Sequence, residues 1–139
     1  NTAGIFMDGA SKVDLYHNQF VNNGWGLKIN ANCMENRLMN NNFENNTFDV
    51  STSGSLVMNS FRNNYWDQYE GYDLDKDKIG DVPFHPLSLY AVLAEKNSMI
   101  MLLYRTFFVE ILDRSEKLVP SLTPENFVDE QPMMKPNKI

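Results

Sequence analysis

The stretch Leu38-Met-Asn-Asn41-Asn-Phe43-Glu-Asn45-Asn46 has two close counterparts in the first half of the chain. They are Leu15-Tyr-His-Asn18-Gln-Phe20-Val-Asn22-Asn23 and Leu56-Val-Met-Asn59-Ser-Phe61-Arg-Asn63-Asn64. Leu, Asn, Phe and the Asn-Asn pair keep the same offsets in all three copies, which are 23 and then 18 residues apart. Self-similarity at such a spacing is typical of a stacked repeat. The chain is therefore predicted to form a solenoid, which offers a long surface rather than one deep pocket.

Asparagine content indicates which kind of solenoid this is. Of the 18 asparagines, 15 lie within residues 1–64. Asparagine is a poor helix former and tolerates the left-handed turn conformation. Alternating stretches such as Ile5-Phe-Met7 indicate short strands. We predict a mainly β fold, with a right-handed parallel β-helix of about three coils over residues 1–64.

Equivalent residues of the three copies should stack as ladders in such a fold. The Asn ladder would lie at a corner, where amides bond to one another and to the backbone. The unequal spacing predicts an insertion around residues 30–35, carrying Cys33 and Met34, that bulges outward. The predicted ladders are Leu15, Leu38 and Leu56; Phe20, Phe43 and Phe61; and Asn18, Asn41 and Asn59.

Composition excludes several classes of protein. A net charge of −6 argues against a protein that binds nucleic acid or an anionic membrane surface. The single cysteine, Cys33, rules out an internal disulfide framework. The chain opens at Asn1 without an initiator Met or a basic leader, so we interpret it as a fragment. The exposed strands of a first coil could then pair with a second copy.

The composition changes in residues 65–86, which we predict to be an acidic, aromatic capping loop. Asp73, Asp75, Asp77 and Asp81 occupy positions 1, 3, 5 and 9 of a calcium-type loop. Calcium and magnesium prefer such clustered oxygen ligands. Position 12, which is Glu in calcium loops, is Phe84 here. A calcium or magnesium site and a solvated acidic turn both remain open.

A helical period begins after residue 86. Residues 87–119 are predicted to form a helical arm, followed by a short turn and extended tail over residues 120–139. The arm could cap the last coil, but its apolar stripe is larger than a coil end needs, which favours docking to a partner. The predicted docking residues are Met99, Leu103, Tyr104, Phe107, Phe108, Ile111 and Leu112.

Catalytic chemistry has little support in the sequence. No Ser-His-Asp order or Gly-rich phosphate loop is apparent. Asp8, Asp14 and Asp49 could pair across coils, as carboxylates do in β-helix polysaccharide enzymes, or could lie on a solvated face. We predict that the protein is not an enzyme. The alternative is a carbohydrate-binding or polysaccharide-processing β-helix protein.

Two motifs carry a family resemblance. Asn63-Asn-Tyr-Trp-Asp67, followed by Gly71-Tyr-Asp-x-Asp-x-Asp-x-Ile-Gly-Asp81-x-Pro-Phe-x-Pro86, resembles the carboxy-terminal signature of the NosD family. The resemblance implies a periplasmic accessory role in copper-centre assembly of nitrous-oxide reductase. It also implies docking of the C-terminal helices onto NosY, the membrane subunit of an ABC-type transporter with the ATPase NosF.

The resemblance further implies copper and a copper-donor lipoprotein, NosL. Soft copper ligands in this chain are Cys33 and eight methionines. Their spacing forms no convincing cluster, so no copper site is assigned to these residues.

Overall fold

The computed structural model of the protein describes residues 1–30, 32–52, 59–86 and 128–139, and in these residues it contains strands and no helix. Within this part of the chain no helix has the length and apolar character to cross a membrane. The nine strands are β1 Ala3–Met7, β2 Asp14–Tyr16, β3 Gln19–Val21, β4 Trp25–Ile29, β5 Arg37–Met39, β6 Asn42–Glu44, β7 Phe48–Thr52, β8 Ser60–Arg62 and β9 Tyr65–Trp66.

Every third strand returns to the same sheet. The described strands form three parallel sheets with the orders β1-β4-β7, β2-β5-β8 and β3-β6-β9. We call each set of three consecutive strands a coil. This arrangement is a parallel β-solenoid, as the repeat predicts. The last strand, β9, lies just beyond the boundary at residue 64 that the sequence suggested.

The register of the strands corrects the third rung of the predicted ladders. Leu15 pairs with Leu38 as expected, but Leu38 then pairs with Phe61. In the other ladder, Phe20 pairs with Phe43, and Trp66 takes the next position. Phe61 is thus in the leucine ladder, so its predicted place was wrong. Leu56 lies outside the described residues.

The asparagine ladder shows the same correction. Asn18 bonds to Asn41, and Asn41 bonds to Asn64 rather than to Asn59. Asn59 instead bonds to Asn36 in a separate ladder, and a third ladder joins Asn23 to Asn46. All of these partners are 23 residues apart. The described strands therefore repeat every 23 residues, except that β1 and β4 pair at 22, where the sequence suggested 23 and then 18.

A shorter repeat inside each coil explains the error. Non-glycine residues with positive φ recur at corners five residues apart, and a ladder position follows each of them. The difference between 23 and 18 is five, so the sequence repeat places the third copy one corner too early relative to the second. The corner residues are Lys12 and Glu35; His17, Asn40 and Asn63; and Asn22 and Asn45.

The corrected register reduces the predicted insertion around residues 30–35 to one residue. Ile29 pairs with Met7, 22 residues earlier, whereas Met34 pairs with Ser11, 23 residues earlier. Cys33 is fully buried in the core, whereas the neighbouring Met34 is exposed. The predicted outward bulge carrying both residues was therefore wrong for Cys33.

Asn41 shows how one amide joins two coils. Its Oδ1 accepts hydrogen bonds from N and Nδ2 of Asn18 at 3.0 and 3.1 Å, and its Nδ2 donates to the Leu15 carbonyl at 2.9 Å. Asn64 repeats this pattern against Asn41 and the Leu38 carbonyl. A left-handed corner leaves backbone groups without strand partners, and buried groups of this kind must be paired. The amides supply those partners.

Aromatic rings fill the centre of the solenoid. Phe20 and Phe43 stack with centroids 4.6 Å apart, and Phe43 and Trp66 stack at 4.3 Å. Phe84 then packs against Trp66 at 5.3 Å, and Tyr69 meets Phe84 edge-on. The aromatic column thus continues from the coils into the acidic loop, which packs against Trp66 of β9.

The end of the chain also packs at this end of the solenoid. The sequence predicted an extended tail, but residues 128–139 pack onto the last coil. Asp129 is fully buried, and its Oδ2 accepts hydrogen bonds from N and Nδ2 of Asn64 and from Nε1 of Trp66. Its backbone exchanges two hydrogen bonds with Phe84. Asn137 bonds to Asn42 in both directions.

Asp129 therefore ends the ladder of Asn18, Asn41 and Asn64. Burial raises the pKa of its carboxyl, while its bonds to Asn64 and Trp66 oppose that rise. A separation of 65 residues from Asn64 places this contact beyond any repeat pattern in the sequence.

We predict that Asn41→Ala destabilises the full-length protein by roughly 2–4 kcal/mol, because it leaves the partly buried Asn18 N–H and Leu15 carbonyl without their partner. The shift of the urea unfolding midpoint measures this cost. Gln19→Ala, at an exposed position on β3, is the matched control and should change stability by less than about 0.5 kcal/mol. Equal midpoints for the two variants would show that the ladder does not stabilise the coils.

Candidate functional site

The acidic loop is held in place by the tail and by Tyr69. The Tyr69 hydroxyl donates to the Val82 carbonyl at 2.6 Å. The Gly80 N–H donates to the Pro132 carbonyl at 2.7 Å, and the Met134 N–H donates to the Lys78 carbonyl. These contacts fix both sides of the loop against the closed end of the solenoid.

Three of the four predicted cation ligands converge within this loop. Ligand oxygens of Asp73, Asp75 and Asp77 lie within 4.8 Å of one another. Asp81 is not part of this cluster, and its Oδ2 accepts a hydrogen bond from the Leu74 N–H at 2.7 Å. Asp73 also holds the turn, since its two oxygens accept the N–H groups of Asp77 and Lys78. The cluster is a set of hard oxygen donors, a type that suits calcium or magnesium.

The carboxylates in this cluster influence one another's protonation. Reduced solvation raises the pKa of Asp73, but backbone N–H groups, led by that of Lys78, outweigh this effect and lower it overall. The Asp77 N–H lowers the pKa of Asp75. The Asp73 carboxyl and the charges of Asp77 and Asp81 have a larger, opposite effect, so the pKa of Asp75 is raised overall. A bound divalent cation would relieve this crowding of like charges.

The structure does not gather the three coil carboxylates into one site. Asp14 makes a two-pronged ion pair with Arg37, at 2.7 and 2.6 Å, which lowers the pKa of Asp14. Asp8 accepts a hydrogen bond from Nδ2 of Asn32 at 2.8 Å, which lowers the pKa of Asp8. Asp49 is buried on β7. The pairing of these acids across coils, which the sequence left open, is therefore not observed.

Asp49 has an unusual environment that the sequence did not reveal. It occupies the position of β7 that Gly26 holds in β4, and a Cβ on Gly26 would lie 3.1 Å from the Phe43 ring. Asp49 Oδ1 accepts a hydrogen bond from Nδ2 of Asn46 at 3.2 Å. Burial raises the pKa of Asp49 to about 7. The hydrogen bond from Asn46 lowers this pKa, and the charge of Asp67 raises it further.

The predicted docking stripe cannot be placed. All seven of its residues, from Met99 to Leu112, lie outside the described residues.

Residues 1–71 match the model of a family described as "Periplasmic copper-binding protein (NosD)". The chain belongs to the NosD family. Two NosD proteins, each named "Probable ABC transporter binding protein NosD", are similar to it. The one from Stutzerimonas stutzeri is 26% identical over 124 residues, 87% of this chain and 28% of the relative. The one from Pseudomonas aeruginosa strain PAO1 is 27% identical over 121 residues, 85% of this chain and 28% of the relative. The chain thus spans little more than a quarter of these relatives.

The copper in the NosD family description can be compared with the soft ligands described here. Copper(I) prefers several thiolate or thioether ligands converging on one point. Cys33 Sγ lies within the apolar core, 3.7 Å from Asn32 Oδ1. Among the His, Cys, Asp and Glu side chains of the described residues, the group that converges consists of hard carboxylates. This environment does not fit a resident copper ion at Cys33.

We predict that Asp49→Asn changes the pH dependence of stability. Because the pKa of Asp49 is about 7 in the folded protein and 3.8 ordinarily, the folded state binds the proton more tightly. Its contribution to stability is complete below about pH 4 and is lost as the pH rises through 7. Relative to Asp49→Asn, the wild-type protein should lose up to roughly 4 kcal/mol over this range.

Urea unfolding of both proteins at a series of pH values measures the difference. Asp14→Asn is the control, because the pKa of Asp14 is lowered and its contribution has the opposite sign. Parallel pH profiles for wild type and Asp49→Asn would contradict a buried protonated Asp49.

The cation site stays a prediction, which calcium titration of the full-length protein tests. We expect measurable binding heat and a higher melting temperature with calcium. Asp75→Asn should weaken binding at least about tenfold because it removes one of three clustered carboxylates. Glu130→Gln, at an exposed position outside the loop, should bind as wild type does. Absence of heat and of a melting shift would leave only a solvated turn.

Proposed function

We propose that this chain is part of a non-catalytic periplasmic accessory protein that works with an ABC-type transporter in the maturation of nitrous-oxide reductase. The observation that carries the proposal is the match of residues 1–71 to the NosD family. The names of the two relatives, which describe transporter-binding proteins, support it. The family description supports a periplasmic location.

The bonding of the coils also supports a scaffold role. Acid–base catalysis needs groups that converge on a substrate. In the described coils the candidate acids are engaged separately: Asp14 by Arg37, Asp8 by Asn32 and Asp49 by Asn46. A stack held by continuous amide ladders is suited to presenting surfaces at fixed spacing.

The proposed contact with the transporter is the apolar stripe between Met99 and Leu112. This part of the proposal rests on the helical spacing of the sequence and on the family resemblance. NosY would be the membrane partner and NosF the ATPase, while the reductase and NosL would exchange copper within the assembly. Copper is in this view a cargo of the assembly.

We predict that Phe107→Asp together with Phe108→Asp weakens binding of the full-length protein to the purified transporter at least about tenfold, because charges would be buried in an apolar contact. Co-purification or surface-based binding measures the loss. Thr106→Asp, at a residue that the helical spacing of the sequence places opposite the apolar stripe, should bind normally. The copper content of the reductase, from cells carrying each variant, gives a second readout.

Unchanged binding by the double variant would refute docking through this stripe. Cleavage of a polysaccharide by the full-length protein would instead favour the carbohydrate alternative.

A further inference from the structure

Exposed apolar side chains are concentrated on the acidic loop. Of the eight large hydrophobic residues exposed in the described part of the chain, three lie within residues 72–82. Leu74 is 78% exposed, Tyr72 is 55% exposed and Val82 is 37% exposed. Leu74 is the most exposed of the eight. The others lie singly on strands, at a turn and at the chain end.

These three residues lie on two stretches of the loop that Asp81 joins. The Asp81 N–H donates to the Tyr72 carbonyl at 2.8 Å, and the Asp81 carboxylate accepts the Leu74 N–H at 2.7 Å. Val82 follows directly, and its carbonyl accepts the Tyr69 hydroxyl. We call the exposed side chains that these neighbouring stretches carry, Tyr72, Leu74 and Val82, the loop patch.

The backbone beneath the loop patch is fixed by carboxylates and by the tail. Asp73 and Asp77 accept N–H groups within the turn, and Ile79 pairs with Met133. Apolar side chains on a held backbone lose little chain entropy when a partner covers them, and covering them removes apolar surface from water. Such a patch is suited to binding, whereas a patch on a mobile chain end would first need ordering.

Charge specifies the partner. The loop from residue 67 to residue 81 contains six acids and two lysines, a net charge of −4 around the loop patch. The calcium ion predicted above would change this net charge to −4 + 2 = −2, which is still negative. An anionic lipid surface or a nucleic acid would be repelled by this rim. A protein surface with an apolar cleft edged by Lys and Arg would be attracted to it.

We propose that the loop patch is a second docking surface for the ABC-type transporter, and that it fits a basic, apolar periplasmic surface of the membrane subunit. This inference rests on the proposed function, but it uses residues separate from the stripe between Met99 and Leu112. The loop patch and the apolar stripe would then both bind the same partner.

Binding of the full-length protein to the transporter, held in phosphatidylcholine nanodiscs, tests the proposal. Tyr72→Ser with Leu74→Ser should weaken binding at least about fivefold. The matched control is Tyr16→Ser with Val21→Ser, which likewise changes an exposed tyrosine and an exposed aliphatic residue, on β2 and β3, and should bind normally. Melting temperatures verify that both double variants are folded.

Charge provides a second test with the opposite sign. Lys76→Glu makes the rim more acidic and should tighten binding about twofold to fivefold at low salt. Raising the salt from about 0.05 to about 0.5 M should remove this gain. Weaker binding by Lys76→Glu at low salt would overturn a basic partner.

The remaining outcomes separate the two proposals. Normal binding by Tyr72→Ser with Leu74→Ser, alongside loss by Phe107→Asp with Phe108→Asp, overturns the loop patch and leaves the proposed function standing. Normal binding by both overturns both docking surfaces. Binding of the wild-type protein to empty nanodiscs that depends on Leu74 would show a lipid partner and overturn the proposal.

Discussion

The structure depends on pairing a left-handed corner with an asparagine amide one residue later. The corner turns the chain between two short strands and leaves backbone groups facing the next coil without strand partners. Asparagine suits this position because one side chain carries both an acceptor and donors. In the Asn18, Asn41 and Asn64 ladder, the Asn41 amide bonds to Asn18 and to the Leu15 carbonyl of the coil before it. The Asn64 amide bonds in the same way to Asn41 and to the Leu38 carbonyl. The strands, only two to five residues long, need this support.

Because of this constraint, most of the asparagines that recur in the sequence have a structural role. The Asn-rich half has a repeated sequence because each coil meets the same bonding requirement. Informative departures are places where a coil differs from its neighbours. Asp49 replaces a glycine, Trp66 replaces a phenylalanine of the central column, and Asp129 ends a ladder of amides with a carboxylate. Two of these three, Trp66 and Asp129, lie at the closed end, where Phe84 of the acidic loop contacts both.

The sequence was sufficient for the parallel β-solenoid and for the first pairing of each ladder. Leu15 with Leu38 and Phe20 with Phe43 follow from the repeat, because their spacing is one whole coil. The predicted third residue of each ladder was wrong because corners recur every five residues inside a coil. Two alignments of the third copy therefore fit the sequence equally well. Asp129 could not be found by pattern, since its partners Asn64 and Trp66 are 65 and 63 residues away. The motif that carried the family resemblance, from Asn63 to Pro86, lies at this end of the solenoid.

The bridge between Phe84 and Asp129 has a mechanical consequence. Two backbone hydrogen bonds join Phe84 and Asp129, which are 45 residues apart in the sequence. A force applied to the chain at either residue would load these bonds and, through Asp129, the indole of Trp66 and the amide of Asn64. The last rung of the solenoid is thus the part of the scaffold that such a force reaches first.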